Sequence, residues 1–523
     1  MNEKIKEEKE FNIILRLLAK TSMIVLFGLI FSKVVTYAFR IIIARYYGPE
    51  IYGVFLLGIM ILQWFIAFST LGLIEGILRF IPIYRGEKNK EKIKQVFKFT
   101  TTLFLFSSIF FAVFLFSFSE FISINIFHEP KLVLFLRVFS FVLPLSIFGN
   151  TFLATIKAHE KIKEYIGILN FAENTVKLLF LILFISLGLQ IKGIALAYFL
   201  GIFTTFLLSY LFCKYKLPEI LGKSKLPKEE KKSLNKKLLD YSLPLLFFGI
   251  LAFVFYGVDS FLIAYFKTAR EVGFYNAAVP IASLLTIVHA LFLQLFSPII
   301  NRKYGEKDIK MVRDLSKQVV KWIFTINLPI FILIFIFPEV AINFLFGDMY
   351  LVAAPALRIL AIGFIFTSVF SVANALILMI GKSKLILFDI VFAAILNIIL
   401  NIILIPLPTI FFLDNSLGIT GAAIATSISI IVFNLLLLFQ VMYYLSIVPL
   451  KRKMITILLC SLIPIALVLY FKQFIIVNIL SIISLFIFFI LLYIILIFIF
   501  KGFDKRDLEI IRSLGRKLKS RVK

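Results

Sequence analysis

Two cations in the first long apolar stretch, Lys33 and Arg40, have the positions and charge needed to bind an anionic ligand. With Tyr37 and Ala44 they follow spacings of four, three and four residues, which place all of them on one face of a helix. Lys33 lies about 15 Å from the outer end of that helix at the usual rise per residue. A charge at that depth is costly unless it is paired or faces water. We therefore expect a cationic cavity, with a structural ion pair as the alternative.

Acidic residues within the apolar stretches could carry a coupling proton or cation, or could only neutralise these bases. Asp259 lies in the seventh stretch, near the level of Arg40, and could pair with Lys33 or Arg40 across the cavity. Glu173 and Lys177 are four residues apart in the fifth stretch, a spacing that predicts an ion pair on one helix. Glu173 is nevertheless a candidate titrating group.

Four further charges lie toward the ends of apolar stretches. Glu75 and Arg79 share the spacing of four residues in the second stretch, where an interfacial ion pair is the favoured interpretation. Arg137 and Arg358 lie near the outer ends of the fourth and tenth stretches. Either they receive anionic headgroups in the same cationic cavity, or they anchor their helices among the lipid headgroups.

Apolar helices must position these charges. The chain is 61% hydrophobic with a mean hydropathy of +1.03, whereas an ordinary globular chain is about half apolar. Helices of about 20 apolar residues satisfy their own backbone groups while crossing a bilayer. We therefore predict an all-α polytopic membrane protein with about 14 transmembrane helices. The predicted spans are 18–43, 51–80, 96–118, 131–154, 165–187, 192–213, 241–266, 272–299, 319–338, 351–379, 385–406, 418–445, 453–471 and 474–500.

Basic residues fall mostly in alternate gaps between the spans. The chain has 56 Lys and Arg, 29 Asp and Glu, and a formal net charge of +27. With a cytoplasmic N-terminus, 44 basic residues lie on the cytoplasmic side, seven on the other side and five within spans. The positive-inside rule then predicts a protein of the cytoplasmic (inner) membrane with both termini in the cytoplasm. Basic loops at a membrane edge orient helices and attract anionic membrane lipids, so we expect no nucleic acid partner.

The two halves of the sequence repeat each other. Ala44-x8-Gly53 matches Ala264-x8-Gly273, and further matches follow in the same order. These further matches pair Phe80-x-Pro82 with Phe296-x-Pro298, Gly86-Glu87-Lys88 with Gly305-Glu306-Lys307, Leu136-Arg137 with Leu357-Arg358, Asn170-x3-Asn174 with Asn397-x3-Asn401, and the start of the sixth span with that of the twelfth. A repeat of six spans predicts two parallel six-helix bundles related by a pseudo-two-fold axis along the membrane normal, plus two C-terminal helices.

That architecture is typical of alternating-access transporters, and a receptor or scaffold with a duplicated bundle is the alternative. The predicted parts are a cytoplasmic tail (1–17), the N-terminal bundle (18–213), a cytoplasmic linker (214–240), the C-terminal bundle (241–445), an additional helix pair (446–500) and a basic cytoplasmic tail (501–523).

Residues 44–53, with the sequence ARYYGPEIYG, resemble the first-loop signature of polysaccharide biosynthesis membrane proteins. These are the Wzx-type flippases of the multidrug/oligosaccharidyl-lipid/polysaccharide (MOP) exporter superfamily. Residues 259–275 and 418–426 are similar to the same family's seventh-span and twelfth-span segments. The resemblance covers about residues 10 to 445. It implies a MATE-like fold, and the flipping of a polyprenyl-diphosphate-linked oligosaccharide by alternating access. A coupling ion, H⁺ or Na⁺, and other polysaccharide assembly proteins are candidate partners.

Other functions fit the sequence less well. Cation-coupled multidrug or small-molecule antiporters of the same superfamily look like twelve-span proteins, so the extra helix pair predicted here disfavours that function. The cations Lys33, Arg40 and Arg137 also suit an anionic substrate better than an organic cation. A peptidoglycan-precursor lipid flippase is a close variant and stays open. A glycan ligase or polymerase would carry a large outer loop, so we expect no enzyme. There is no G-x-x-x-x-G-K-[ST] motif, and the two Cys and three His lack metal-site spacing, so we expect no cofactor or metal.

Overall fold

The computed structural model describes residues 2–407, 418–473 and 479–504, and within these ranges every regular element is a helix. Ten of the described helices are long and apolar enough to cross a membrane, or eleven if one bent pair counts as a single span. The predicted all-α membrane class is confirmed. The number 14 and the pseudo-two-fold axis remain predictions. Residues 408–417, 474–478 and 505–523 lie outside the described part of the chain. They include the start of the predicted span 474–500 and most of the predicted basic tail.

The chain divides into two compact units, Met1–Gly273 (unit 1) and Phe274–Lys523 (unit 2). The predicted limits of the tails, linker, bundles and helix pair remain predictions. The helices of unit 1 are α1 (Asn2–Thr70), α2 (Leu73–Gly86), α3 (Lys90–Ser117), α4 (Leu132–Ala158), α5 (Ile162–Ile166), α6 (Glu173–Ser186), α7 (Gln190–Lys216), α8 (Lys228–Phe266) and the start of α9 (Ala269–Ser283). A π-helical turn, Gly167–Ala172, joins α5 to α6.

Unit 2 continues from α9 into a second series of helices. These are α10 (Leu285–Gly305), α11 (Ile309–Ile336), α12 (Pro338–Phe346), α13 (Ala354–Met379), α14 (Ser383–Leu404), α15 (Gly418–Leu445), α16 (Lys453–Lys472) and α17 (Ile479–Ile499). The bend between α9 and α10 is 43°, so the predicted eighth span is a broken helix. The predicted helix pair corresponds to α16 and α17, which pack on α11 through an apolar cluster that includes Leu328, Cys460 and Phe489.

The predicted first span and most of the second form one long kinked helix, α1. Helix α1 breaks at Gly48, whose φ of 80° lies in the left-handed region that favours glycine. Pro49 follows at once, and its ring and missing N–H prevent an unbroken hydrogen-bond ladder. The segment beyond the kink ends at Thr70, and Gly72, with a φ of 69°, separates it from α2. The predicted second span therefore consists of two helices.

The two units repeat the same local structure before α3 and α11. Lys88 and Lys307, which are equivalent in the sequence repeat, both adopt positive φ, at 56° and 59°. Each is followed by an N-cap residue, Asn89 or Asp308, whose side-chain oxygen accepts a hydrogen bond from an amide in the first turn of the helix. The sequence match at these positions thus has a structural counterpart in each unit.

Two repeat-related glycines make reciprocal backbone contacts within unit 1. A Cβ atom on Gly53 would lie 1.7 Å from the carbonyl oxygen of Ala269, and a Cβ on Gly273 would lie 2.0 Å from the carbonyl oxygen of Pro49. Pro49 and Ala269 each precede the equivalent glycine by four residues. Only glycine leaves room for the backbones to approach this closely.

Candidate functional site

A polar pocket of about 260 Å³ lies in unit 1 between α1, α6 and α7. Both segments of kinked α1 contribute to its wall, together with one face of α6 and a single aromatic residue from α7. The lining residues are Val35, Thr36, Phe39, Arg40, Phe55, Ile59, Gln63, Asn174, Lys177 and Tyr198. The lining contains two cations, Arg40 and Lys177, and no carboxylate, so an anionic group is the ligand that it would favour.

Arg40 is half-buried in the wall of the pocket. Its guanidinium hydrogen-bonds to the hydroxyl of Tyr52, a fully buried residue just beyond the kink of α1. The contact fixes one edge of the planar guanidinium, which has five N–H donors in total. The remaining donors can bind a phosphate or carboxylate oxygen in a forked geometry.

Glu173 and Lys177 form an ion pair, as their spacing on the helix predicts. The Lys177 ammonium lies 2.6 Å from Oε1 of Glu173, and each side chain is only 12% exposed. The other carboxylate oxygen, Oε2, accepts a hydrogen bond of 2.7 Å from the Thr205 hydroxyl on α7. The same ammonium lies 4.1 Å from the ring centroid of Tyr198. Lys177 therefore lies between a carboxylate behind the wall and an aromatic face that lines the pocket.

A π-helical turn positions Glu173, the first residue of α6. Gly167–Ala172 inserts a wider turn immediately before Glu173, and such turns are frequent at functional sites. Asn174 then faces α1, where its amide donates to Ser32 Oγ at 3.0 Å and its carbonyl accepts from Thr36 Oγ1 at 3.2 Å. These hydrogen bonds join α6 to α1 and hold the two cation-bearing helices side by side.

Lys33 and Asp259 do not line this pocket. Lys33 lies on α1 with an exposed side chain, while Asp259 is buried in α8 at 4% exposure. The cavity role of Lys33 and its pairing, or that of Arg40, with Asp259 stay predictions.

Glu75 and Arg79 are not joined by a salt bridge, within the residues that the structure describes. The Arg79 guanidinium instead lies 4.2 Å from the ring centroid of Tyr241 on α8, while Glu75 is exposed. The packing of α8 against α2 offers this arginine an aromatic face, and a cation–π contact there competes with an exposed ion pair. The spacing alone gave no sign of Tyr241.

Arg137 and Arg358 each pair with a glutamate in their own unit. Arg137 contacts Glu120 at 2.5 Å, and Arg358 contacts Glu339 at 2.7 Å. Arg358 also donates to the backbone carbonyl of Phe335 at 3.2 Å. The same ion pair thus recurs at repeat-equivalent arginines, in a geometry suited to anchoring a helix end. Their role in substrate binding stays a prediction.

Several residues around the pocket have no sequence signal that would assign them to it. Gln63 and Tyr198 line it, and Thr205 contacts Glu173 from behind. Gly201 lies beneath the Lys177 side chain, where an added Cβ would come within 2.2 Å of Lys177 Cγ. Tyr198, Gly201 and Thr205 lie in α7, which meets α1 and α6 only after folding, and Gln63 lies in the segment of α1 beyond its kink. Only the polarity of Gln63 within an apolar stretch could have marked one of them beforehand.

Comparison with known proteins identifies similar families. A family model described as polysaccharide biosynthesis protein matches residues 17–304, which is more than half of the chain. A second model, MatE, matches residues 244–403. A putative O-antigen transporter of Shigella flexneri is 25% identical over 438 residues, covering 80% of this chain and 96% of its own length. An uncharacterized membrane protein of Methanocaldococcus jannaschii is 24% identical over 462 residues, covering 84% and 87%.

Two solved structures share the fold. The lipid II flippase MurJ, in an inward closed conformation, aligns with a TM-score of 0.69 at 18% identity and covers 92% of this chain and 98% of its own. An inward-facing multidrug resistance MATE family transporter of the MOP superfamily aligns with a TM-score of 0.66 at 17% identity, covering 79% and 94%. At these identities the likeness shows the fold alone.

Proposed function

Since the chain belongs to the polysaccharide biosynthesis protein family of Wzx-type flippases in the MOP superfamily, we propose that it flips a polyprenyl-diphosphate-linked oligosaccharide across the cytoplasmic membrane. The protein is a multi-pass membrane transporter of that superfamily. Its lipid-linked substrate, its place in the cytoplasmic membrane and its cytoplasmic termini are part of the proposal. The alternation of basic loops supports the orientation.

The observation that carries the proposal is the cationic pocket of unit 1. A diphosphate headgroup cannot cross hydrocarbon without compensating charges, because burying an isolated anion is very costly. Arg40 and Lys177 offer two such charges within helices of membrane-spanning length, and Thr36, Gln63 and Asn174 add polar groups. A volume of about 260 Å³ suits the charged phosphate part better than a glycan. We therefore assign the pocket to the diphosphate of the headgroup.

A second candidate is a cation-coupled antiporter of the same superfamily, which the MatE match over residues 244–403 favours. The absence of a carboxylate from the lining of the described pocket disfavours an organic cation there. A peptidoglycan-precursor flippase is a closer variant of the proposal, and the solved structure of the lipid II flippase MurJ shares the fold over 92% of this chain. The pocket does not distinguish between glycans.

The test is transbilayer movement of a fluorescent polyprenyl-diphosphate disaccharide in proteoliposomes that contain the full chain. Arg40→Gln should slow the movement about tenfold to a hundredfold, because a hydrogen bond to a charged group is worth about 1.5–3 kcal/mol. Lys33→Gln tests whether the cationic surface extends along α1. Lys90→Gln is the matched control, because its exposed side chain at the start of α3 pairs with exposed Glu219, and neither residue lines the pocket.

The outcomes separate the candidates. Protein-dependent movement that Arg40→Gln slows and Lys90→Gln leaves within twofold supports the flippase. No movement of the lipid, together with efflux of an organic cation from the same vesicles, would replace the proposal with the antiporter. Faster movement of lipid II than of other diphosphate lipids would select the peptidoglycan-precursor variant.

A further inference from the structure

We propose that Glu173 is a built-in competitor of the substrate: its carboxylate holds the Lys177 ammonium while the pocket is empty and yields it to the anionic headgroup, so that Glu173 sets the affinity and the release rate. This inference rests on the proposed function and deepens it. In it, Glu173 is a positioning residue that acts through Lys177.

The position of Lys177 carries the first step. Its ammonium contacts Glu173 at 2.6 Å and the ring face of Tyr198 at 4.1 Å. Tyr198 and Lys177 line the pocket, whereas Glu173 does not. The ammonium thus lies at the boundary between its carboxylate partner and the space available to a ligand. A small rotation of the lysine side chain would exchange one anion for the other, with the aromatic ring facing the cation in both positions.

The local packing holds the stem of Lys177 in place. The aliphatic part of Lys177 lies on Gly201 of α7, where any larger side chain would overlap it, because a Cβ would be 2.2 Å from Lys177 Cγ and 2.9 Å from Cε. Glycine at this position therefore provides a shallow groove for the lysine stem. The charged end can change partners while the stem stays in place.

The charge balance explains why a competitor is needed. Two cations, Arg40 and Lys177, lie close together, and a buried cation without a counter-charge is strongly disfavoured. Glu173 supplies the counter-charge when no substrate is present. An incoming phosphate supplies it instead, and the displaced carboxylate then lies next to an anion. This repulsion weakens binding, and it favours release of the headgroup.

Thr205 gives the carboxylate a second partner. Its hydroxyl donates to Glu173 Oε2 at 2.7 Å. The carboxylate therefore keeps a hydrogen bond to α7 when Lys177 leaves it for the headgroup.

The experiment measures binding and release of the fluorescent polyprenyl-diphosphate disaccharide by the detergent-solubilised full chain. Glu173→Gln should lower Kd about tenfold, slow release by a similar factor and reduce turnover at saturating lipid. Lys177→Gln should raise Kd. Adding Glu173→Gln to Lys177→Gln should then lower Kd by much less than tenfold, because only the repulsion between the carboxylate and the headgroup is left to remove. Glu219→Gln is the control, since the exposed side chain of Glu219 pairs with that of Lys90 at the start of α3.

A second variant keeps the charge of the carboxylate. Glu173→Asp, which shortens the carboxylate arm but keeps its charge, should give an intermediate Kd and replaces Glu173→Gln if that variant does not fold.

A purely structural ion pair predicts the opposite sign. In that case Glu173→Gln and Glu173→Asp would weaken binding, and the inference would be wrong while the flippase function stood. If the wild type neither binds nor moves the diphosphate lipid, the proposed function fails, and the inference fails with it.

Discussion

Asp504, just beyond α17, offers a sharp test of how the C-terminal helix pair is held to unit 2. Its carboxylate receives the ammonium groups of Lys321 at 3.0 Å and Lys453 at 2.8 Å, and that of Lys451 as well. Lys321 belongs to α11, whereas Lys451 lies just before α16 and Lys453 is its first residue. One carboxylate thus joins three parts of the unit. The informative variant is Asp504→Asn, which keeps the shape and removes the charge.

The structure sets the size of the effect. Removing one partner of a buried ion pair costs about 3–5 kcal/mol, because it leaves an uncompensated charge. The Lys321 side chain is 1% exposed, but those of Asp504, Lys451 and Lys453 are 17%, 28% and 37% exposed. Water therefore compensates part of the loss, and we expect the lower end, about 3 kcal/mol. If the helix pair opens locally, that value corresponds to an opening population raised on the order of a hundredfold.

The chain contains one cysteine reporter in each unit. Cys460 in α16 is 4% exposed and belongs to the apolar cluster between α11, α16 and α17, while Cys213 in α7 of unit 1 is fully buried. Maleimide labelling is measured in two backgrounds, Cys213→Ser and Cys460→Ser, which leave one thiol each. Asp504→Asn should accelerate labelling of Cys460 about a hundredfold and leave the labelling of Cys213 unchanged.

Two results would refute this reasoning. Labelling of Cys460 that changes less than threefold would mean that Asp504 does not fasten the helix pair. Equal acceleration at Cys213 would mean that the variant loosens the whole protein. Asp348→Asn, at an exposed position of the same unit, is the matched control for the loss of one negative charge.

Three further predictions follow from the same structure. Gly273→Ala should lower the free energy of unfolding by about 3 kcal/mol and reduce the monodisperse yield, because its Cβ would meet the Pro49 carbonyl. Gly305→Ala, with open space around it, should be neutral or stabilising by under about 1 kcal/mol. Equal yields of the two variants would contradict this. Burial raises the pKa of Asp504, but hydrogen bonds from three lysines outweigh it and hold the pKa far below its usual value of 3.8. The stability that Asp504 contributes is therefore fully present above its usual pKa and is lost only as pH falls through the depressed pKa. Thiol labelling of Cys460 that is induced by acid and begins above pH 4 would be inconsistent with this geometry. Burial also raises the pKa of Glu129 above 4.5, so the stability that Glu129 contributes to the fold declines as pH rises through the raised pKa. Glu129→Gln should thus have a higher thermal midpoint than the wild type at pH 7 and the same midpoint at pH 4, and the reverse order would show that its carboxylate is stabilising.

The sequence alone was sufficient for the fold class and for much of the helix pattern. A membrane span must be long, apolar and hydrogen-bonded within itself, so its signature is local and additive along the chain. The predicted sixth and twelfth spans, 192–213 and 418–445, accordingly correspond to α7 and α15, Gln190–Lys216 and Gly418–Leu445. The ion pair of Glu173 and Lys177 could also be predicted, because the helix itself places residues four apart on one face.

Helix breaks were harder to predict. The eighth predicted span bends by 43° between α9 and α10, and the second is divided at Gly72. Hydropathy averages over a window of residues and does not register a single backbone torsion. A glycine permits such a break, and the packing around it decides whether the break occurs.

Partners from distant elements depended on the tertiary structure. Arg79 lies over Tyr241 and not beside Glu75, Thr205 completes the hydrogen bonding of Glu173, and Lys321 shares Asp504 with two other lysines. Side chains of different helices meet according to how each helix is rotated and where it docks. Those two variables are set by the packing of the whole unit, because each helix buries whichever face fits its neighbours best. The amino-acid sequence thus determined which charges enter the membrane, and the tertiary structure decided which other groups they meet there.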